Sequence, residues 1–143
     1  MPRQMTRQEA HDFLDSKPGW IALTTVGPDG FPHTVPTGYF RLGDDVLLGV
    51  RNNTLKIKNI RYNPQVSLMI ESGSTRQDIK GVMIQGNATV IDDPDEFLRY
   101  AREAARLRGV AETDLPTEPR PGAAYIKVSP HKIRSWDYSQ DVG

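Results

Sequence analysis

Residues 46–64 read VLLGVRNNTLKIKNIRYNP, and this stretch predicts a strand, a turn and a helix in immediate succession. The apolar run 46–50 is typical of a buried strand. The pair Asn52 and Asn53 favours a turn, because asparagine tolerates left-handed backbone conformations. Thr54 can then act as the N-cap of a helix that ends before the Asn-Pro pair, because the residue preceding a proline avoids the helical conformation.

Basic residues surround the start of this predicted helix, namely Arg51, Lys56, Lys58 and Arg61. A helix N-terminus carries unpaired N–H groups and a partial positive charge, so it attracts anions. With the hydroxyl of Thr54 nearby, the chemistry suits a phosphate better than an isolated carboxylate. From these residues alone two interpretations stay open, a phosphate site and a solvated basic helix face.

The composition predicts one domain over residues 1–143, located in the cytoplasm. Its 18 basic and 18 acidic residues cancel, which argues against a protein whose affinity comes from the nucleic-acid backbone. The absence of cysteine excludes disulfides and thiolate chemistry and fits a reducing compartment. No apolar run approaches the roughly 20 residues that a membrane helix needs, and the N-terminus lacks a signal-peptide core.

The remaining patterns predict a mostly β protein with three helices. Besides the helix after Thr54, helices are expected at 6–14 and 93–108. Strands are expected at 20–26, 32–40, 46–50, 65–71, 81–92, 123–128 and 132–138. Most connections are too short for parallel crossovers, so the strands should be antiparallel, and closure into a barrel removes exposed edges. Gly86 suggests a bulge or a barrel bend, and the sequence Ser-Pro-His at 129–131 should separate the last two strands.

Pro36 lies inside the predicted strand 32–40. Proline cannot donate to a sheet ladder, so this position must face an edge, a bulge or a ligand. Gly38 also permits close approach of another group. Two interpretations of residues 34–37 stay open, an irregular strand that borders a ligand and an ordinary edge strand.

Taken together, these stretches resemble the FMN-binding split β-barrel family, the superfamily of pyridoxamine-phosphate oxidase and of flavin- and deazaflavin-dependent reductases. The matching pieces are TTVGPDGFPHTVPTGYF, VLLGVRNNTLKIKNIRYNPQVSLMI, GVMIQGNATVID and YIKVSPHKIRSWDYS, within residues 20–138. The resemblance implies an antiparallel six-stranded split barrel that forms a homodimer. It also implies a cofactor held in a cleft between the two subunits.

The resemblance also implies a role for individual residues. The segment containing Thr54 and Lys56 should bind the cofactor's phosphate, and Val50 and Arg51 should approach its ring and phosphate tail. The residues implied along the edge of the flavin ring are Thr34, Val35, Pro36 and Thr37. The residues implied to reach the cofactor from the partner subunit are Gly81 and Trp136.

Two departures argue against vitamin B6 oxidation. The oxidase has an arginine where this chain has Val35, and the chain ends at Gly143 without the Arg and His motif that grips pyridoxal phosphate. The resemblance therefore implies a flavin-dependent oxidoreductase or reductase that moves hydride between FMN and a small unsaturated or quinone-like substrate. The deazaflavin coenzyme F420 is the alternative cofactor. A non-catalytic carrier of flavin, deazaflavin or haem is the alternative function.

The sequence assigns no catalytic acid or base. The candidates for a ring contact or for proton donation are Tyr39, Trp136 and His33. The three histidines are scattered singly, so no metal site is expected. There is also no dinucleotide fingerprint, P-loop or nucleophile elbow. A nucleic-acid module built on the basic patch 56–61 is a weaker reading, because the net charge is zero.

Overall fold

The computed structural model describes residues 2–140 as a mostly β protein with three α-helices. The helices are α1 (Arg7–Asp15), α2 (Leu55–Tyr62) and α3 (Pro94–Leu107). The strands are β1 (Ile21–Val26), β2 (Pro32–Thr37), β3 (Tyr39–Leu42), β4 (Asp45–Arg51), β5 (Gln65–Ser72), β6 (Lys80–Ile91) and β7 (Ala123–Asp137). Short 3₁₀ turns span Glu112–Asp114 and Tyr138–Gln140. No helix in this part of the chain is both long and apolar enough to cross a membrane.

All seven strands form one antiparallel sheet in the order β2-β1-β5-β6-β7-β4-β3. Its two outermost strands, β2 and β3, are neighbours in the chain and are separated only by Gly38. The sheet must therefore curl until its edges meet, and this produces the split barrel. The expected fold class is confirmed. If β2 and β3 are counted as one segment, the barrel has the six segments that were expected.

The predicted break at residues 129–131 is wrong, because β7 continues through it. Gln85 of β6 pairs with Lys132, and the next residue, Gly86, pairs with Pro130. His131 is thus an extra residue on β7, which is the arrangement of a β-bulge. A Cβ on Gly86 would lie 2.5 Å from the carbonyl oxygen of Ser129, so only glycine fits opposite the bulge. The bulge lets the strand accommodate a proline without ending.

Two hydrophobic cores hold the fold together. The first fills the barrel and includes Leu23, Leu48, Leu68, Ile84 and Ile126, each at most 1% exposed. The second lies between α3 and the outer face of β3, β4 and β7. Burying each large side chain in such a core stabilises the fold by about 1.5–3 kcal/mol. The second core holds α3 against the outside of the barrel.

Tyr125 lies at the centre of the second core. Its ring stacks on Phe97 with centroids 4.8 Å apart and meets Phe40 and Tyr100 edge-on at 5.8 and 6.2 Å. Offset-stacked and edge-to-face pairs are the favourable arrangements for aromatic rings. The cluster fixes the orientation of α3 relative to β4 and β7.

Candidate functional site

The start of α2 carries uncapped backbone amides. Thr54 occupies the predicted N-cap position with an extended backbone. Its hydroxyl, however, donates to the carbonyl oxygen of Arg51 at 3.2 Å instead of accepting from the first turn. Among residues 2–140, no side chain caps this helix. The first-turn N–H groups are therefore available to an anion.

A cavity of about 910 Å³, which we call the cleft, opens beside this helix start. It lies between the junction of β2 and β3, the end of β4, the start of α2 and the beginning of β7. Its lining consists of Trp20, Pro36, Thr37, Gly38, Gly49, Val50, Arg51, Asn52, Asn53, Thr54, Lys56, Phe97, Arg120, Pro121, Gly122, Ala123, Ala124 and Tyr125. Residues from distant parts of the chain thus meet in one concave surface.

The cleft is positively charged. Arg51, Lys56 and Arg120 line it, and the described lining contains no aspartate or glutamate. None of the three cations forms an ion pair with another residue of the range 2–140. The chain as a whole is neutral, so this local excess of positive charge favours an anionic ligand.

Six of the ten residues predicted for the cofactor site line the cleft, namely Pro36, Thr37, Val50, Arg51, Thr54 and Lys56. Pro36 is found on an edge strand, whereas its contact with a ligand stays a prediction. It lies on the edge strand β2, paired only with Ala22 of β1, and it also borders the cleft. Thr34 and Val35 lie outside the cleft lining of a single chain, and the Thr34 hydroxyl shares a hydrogen bond with Oγ1 of Thr24 at 2.8 Å.

Gly81 and Trp136 lie together on the outer face of the sheet, away from the cleft. They are paired across β6 and β7. The indole covers Gly81 so closely that a Cβ there would lie 2.4 Å from the ring. The indole Nε1 also donates to a carboxylate oxygen of Glu71 at 2.9 Å. Contact between these two residues and a cofactor stays a prediction, because it requires a second subunit.

Tyr39 and His33, two of the proposed proton donors, are absent from the cleft lining. The Tyr39 hydroxyl donates to the carbonyl oxygen of Leu14 at 2.6 Å. Burial, with a smaller contribution from Asp15, raises the pKa of Tyr39 to about 12. His33 is half-buried on β2, and its Nδ1 has no hydrogen-bond partner within the described range.

The cleft residues that sequence reasoning missed include Trp20, Arg120 and Tyr125. Trp20 is 73% exposed at the rim, where it lies over Gly38. Arg120 belongs to the proline-rich segment before β7. This segment is tied to the turn before α2 by a hydrogen bond from the Asn52 amide to the Gly122 carbonyl at 3.0 Å. An arginine flanked by prolines was the only local signal, and it does not indicate which element the loop contacts.

The donor set of the cleft fits a phosphate-bearing planar cofactor. Cations and uncapped amides gather at the α2 end, while Val50, Ala124 and Trp20 offer apolar surface nearby. Such a combination of apolar walls and a few directed polar groups is typical of cofactor sites. Within residues 2–140, no group of three or more histidine, cysteine or acidic side chains is arranged to hold a metal ion.

Comparison with solved structures gives relatives that share this fold. The conserved hypothetical protein Rv2991 from Mycobacterium tuberculosis is 25% identical, with a TM-score of 0.80, over 97% of this chain and 92% of that chain. An F420 reductase is 20% identical, with a TM-score of 0.63, over 85% of this chain and 94% of that chain. HutZ, the heme storage protein from Vibrio cholerae, is 12% identical, with a TM-score of 0.66, over 95% of this chain and 100% of that chain. The last two similarities show the fold alone.

Family membership follows from the sequence match. No curated protein matches this chain. The family described as pyridoxamine 5'-phosphate oxidase, in contrast, matches residues 6–137. That range begins at the N-cap of α1, ends at the last residue of β7 and includes every strand of the barrel. The chain therefore belongs to the pyridoxamine 5'-phosphate oxidase family of split β-barrels.

Proposed function

We propose that this protein is an FMN-dependent oxidoreductase that binds its cofactor in the cleft, with coenzyme F420 as the alternative cofactor. The observation that carries the proposal is the charge arrangement at the start of α2. Three cations without carboxylate partners in residues 2–140 and a set of uncapped amides face a cavity with no acidic lining residue. A buried or partly buried phosphate needs such charge-assisted donors.

Individual residues have distinct tasks in this proposal. Lys56, Arg51 and the first-turn amides of α2 hold the phosphate, and Arg120 adds a third positive charge. Pro36, Val50 and neighbouring apolar groups lie against the ring and exclude water. A bound flavin supplies hydride transfer to an electron-poor acceptor such as an enone or quinone, so the protein contributes position and electrostatics.

A second copy of the chain completes the proposed site. Pro36, at the margin of the cleft, is in register with Ala22, Met69, Met83 and Arg134 across the outer face of the sheet. Gly81 and Trp136 belong to the same face, since they lie two residues from Met83 and Arg134. We propose that two chains pair through this face as a homodimer, with these two residues of one chain reaching the cofactor of the other.

The lining of the cleft favours a flavin or deazaflavin over haem. Its described lining contains no histidine, cysteine or methionine, the residue types that most often ligate haem iron. A flavin or deazaflavin carrier without turnover would use the same phosphate site, so only an activity measurement separates it from an enzyme. The domain extent of 1–143 and the cytoplasmic location stay predictions.

A cofactor titration tests the proposal. FMN and F420 are added in parallel to the full chain and to Lys56→Ala, and binding is followed by visible absorption and fluorescence. We expect one cofactor to bind at about micromolar or lower Kd and Lys56→Ala to weaken it about tenfold or more, because a charge-assisted phosphate contact is lost. Lys58→Ala is the matched control, since Lys58 is exposed on the same helix and lines no part of the cleft.

Equal effects of Lys56→Ala and Lys58→Ala would contradict the phosphate site. Binding of neither cofactor would reject the flavoenzyme proposal as a whole. If a cofactor binds, the reduced holoprotein is mixed with an enone and with a quinone under anaerobic conditions. Tight binding without reoxidation by either acceptor would favour the carrier.

A further inference from the structure

A smaller cavity of about 220 Å³, which we call the side cavity, adjoins the cleft. Its lining consists of Lys17, Gly38, Tyr39, Phe40, Gly49, Ala104, Arg108 and Tyr125. Gly38, Gly49 and Tyr125 line both the cleft and the side cavity. The two spaces are therefore neighbours that share part of their walls.

The side cavity is also positively charged. Lys17 and Arg108 line it, and no acidic residue of the described chain does so. Neither cation forms an ion pair with another residue of the range 2–140. The Lys17 ammonium lies 5.7 Å from the centroid of the Tyr39 ring. These charges come from the end of α1 and the end of α3, and they face a space without a countercharge.

The hydroxyl of Tyr125 is a hydrogen-bonding group without a protein partner. The residue is 8% exposed, and its hydroxyl makes no hydrogen bond within residues 2–140. The hydroxyl oxygen is accessible to solvent, since the one buried side-chain polar atom without a partner in this range is Nδ1 of His33. Burial raises the pKa of Tyr125, while Arg120 and Arg108 act in the opposite direction, so the phenol lies near both cations. It remains protonated at neutral pH and can donate to an anion.

Two glycines between the cavities have no structural requirement for glycine. Neither Gly38 nor Gly49 has a positive φ. A Cβ would fit at both positions, at 3.5 Å from Trp20 and 3.6 Å from Tyr125 respectively, which is ordinary van der Waals contact. Glycine inside or beside a strand often marks a place where a ligand approaches the backbone. The wall that the two cavities share at Gly38 and Gly49 is such a place.

We propose that the side cavity is the substrate subsite of the cleft and that it binds the carboxylate of a small planar acid. Arg108 and Lys17 pair with the carboxylate, and the Tyr125 hydroxyl donates a hydrogen bond to it. The planar body of the acid lies along Gly38 and Gly49 and points into the cleft. This inference rests on the proposed function, because it names the substrate class of the same site.

Binding of benzoate to the full chain tests the subsite directly. Ligand-observed NMR titrations compare benzoate with the neutral isostere benzamide, in the absence of cofactor and with saturating FMN. We expect benzoate to bind about tenfold more tightly than benzamide, as loss of an ionic partner implies. We also expect both forms of the protein to bind it, since the carboxylate does not use the phosphate site. Equal affinities, or competition between benzoate and FMN, would overturn the proposal.

Three variants locate the binding. Arg108→Gln should weaken benzoate about three- to tenfold and leave FMN affinity within about twofold, and Tyr125→Phe should weaken benzoate to a similar extent. Arg99→Gln is the matched control, because Arg99 is exposed on the same helix and lines neither cavity. Circular dichroism melting curves verify that each variant is folded. An unchanged benzoate affinity in Arg108→Gln would refute the assignment.

The carboxylates of the F420 tail are a second source of the same chemistry. If Arg108→Gln weakens F420 and not benzoate, the cations hold the cofactor and the substrate subsite is wrong. The two proposals also fail separately. Arg108-dependent benzoate binding in a protein that binds neither FMN nor F420 would keep the subsite and reject the flavoenzyme. FMN binding without benzoate binding would keep the flavoenzyme proposal and reject the subsite.

Discussion

A buried amide on α2 bonds the helix to the barrel. Nδ2 of Asn59 donates to Oγ1 of Thr25 at 3.0 Å, and both residues are at most 5% exposed. The amide oxygen lies so close to Gly27 that a Cβ on that glycine would be 2.3 Å from it. The position of the uncapped helix start, and with it the proposed phosphate site, therefore depends on this hydrogen bond as well as on Ile57 and Ile60, which α2 buries in the barrel core.

Thr25→Val should destabilise the protein by about 1–3 kcal/mol, because the Asn59 amide keeps its desolvation and loses its acceptor. Urea unfolding followed by circular dichroism measures the change. The matched control is Thr24→Val, one residue earlier on the same strand. The Thr24 hydroxyl shares a hydrogen bond with Thr34 on the exposed face, where water can replace the lost hydroxyl. Thr24→Val should therefore lower the free energy of unfolding by less than about 0.5 kcal/mol. Equal costs for the two variants would contradict the role of the buried bond.

At the scale of the element, α1 shows how local chemistry defines a helix start. Thr6 and Glu9 form the reciprocal capping box that their spacing predicts. Glu9 also accepts a hydrogen bond from Arg3 at 2.8 Å, and the backbone of Arg3 pairs with Asp137 at the end of β7. The helix cap thus connects the N-terminal segment to the last strand of the barrel.

The stability contributed by Glu9 should depend on pH. The Arg3 hydrogen bond, with help from the Thr6 amide, lowers the pKa of Glu9 from 4.5 to about 2. A carboxyl whose pKa is lower in the folded state stabilises above its unfolded pKa, and this contribution disappears as pH falls through the folded value. Glu9→Gln should therefore be less stable than the wild-type protein at pH 7. The difference should shrink between about pH 4.5 and pH 2.

Thermal melts from pH 7 to pH 2 measure this difference. Asp95→Asn serves as the comparison, because Asp95 also lies in the first turn of a helix but forms no ion pair within residues 2–140. At neutral pH, Asp95→Asn should lower the melting temperature less than Glu9→Gln does. A pH-independent deficit for Glu9→Gln would show that the carboxylate charge is not responsible.

For the whole molecule, the proposed homodimer predicts the mass of the protein in solution. The intact protein should sediment at twice the 16.0 kDa of one chain. Met69 is 41% exposed in the middle of the proposed interface. Met69→Glu places two buried charges near each other in a symmetric contact, so the dimer should dissociate. FMN affinity should fall at the same time, because Gly81 and Trp136 of the second chain would be lost.

The control for this experiment is Leu107→Glu, which introduces the same charge at a 59% exposed leucine on α3, away from the sheet face. It should leave both mass and FMN affinity unchanged. A Met69→Glu protein that remains dimeric would place the interface elsewhere. A monomer with unchanged FMN affinity would show that one chain holds the cofactor alone.

The sequence by itself determined the features that depend on neighbours a few residues apart. The caps of α1 and α3, the N-cap position of Thr54, the alternation along β5 and the bulge at Gly86 were all predictable. Each depends on hydrogen bonds or side-chain periodicity within one element. The family resemblance added a cofactor-binding role for six residues that line the cleft.

Only the tertiary structure decided which distant residues meet. Gly38 divides one predicted strand because the chain passes there from one edge of the sheet to the other. Pro130 does not end β7, because a bulge against β6 accommodates it. Arg120 and Tyr125 join the cleft and Arg108 joins the side cavity through the packing of α3 and the loop after it. Sheet order and the second core bring these residues together, and neither leaves a periodic signal in the chain.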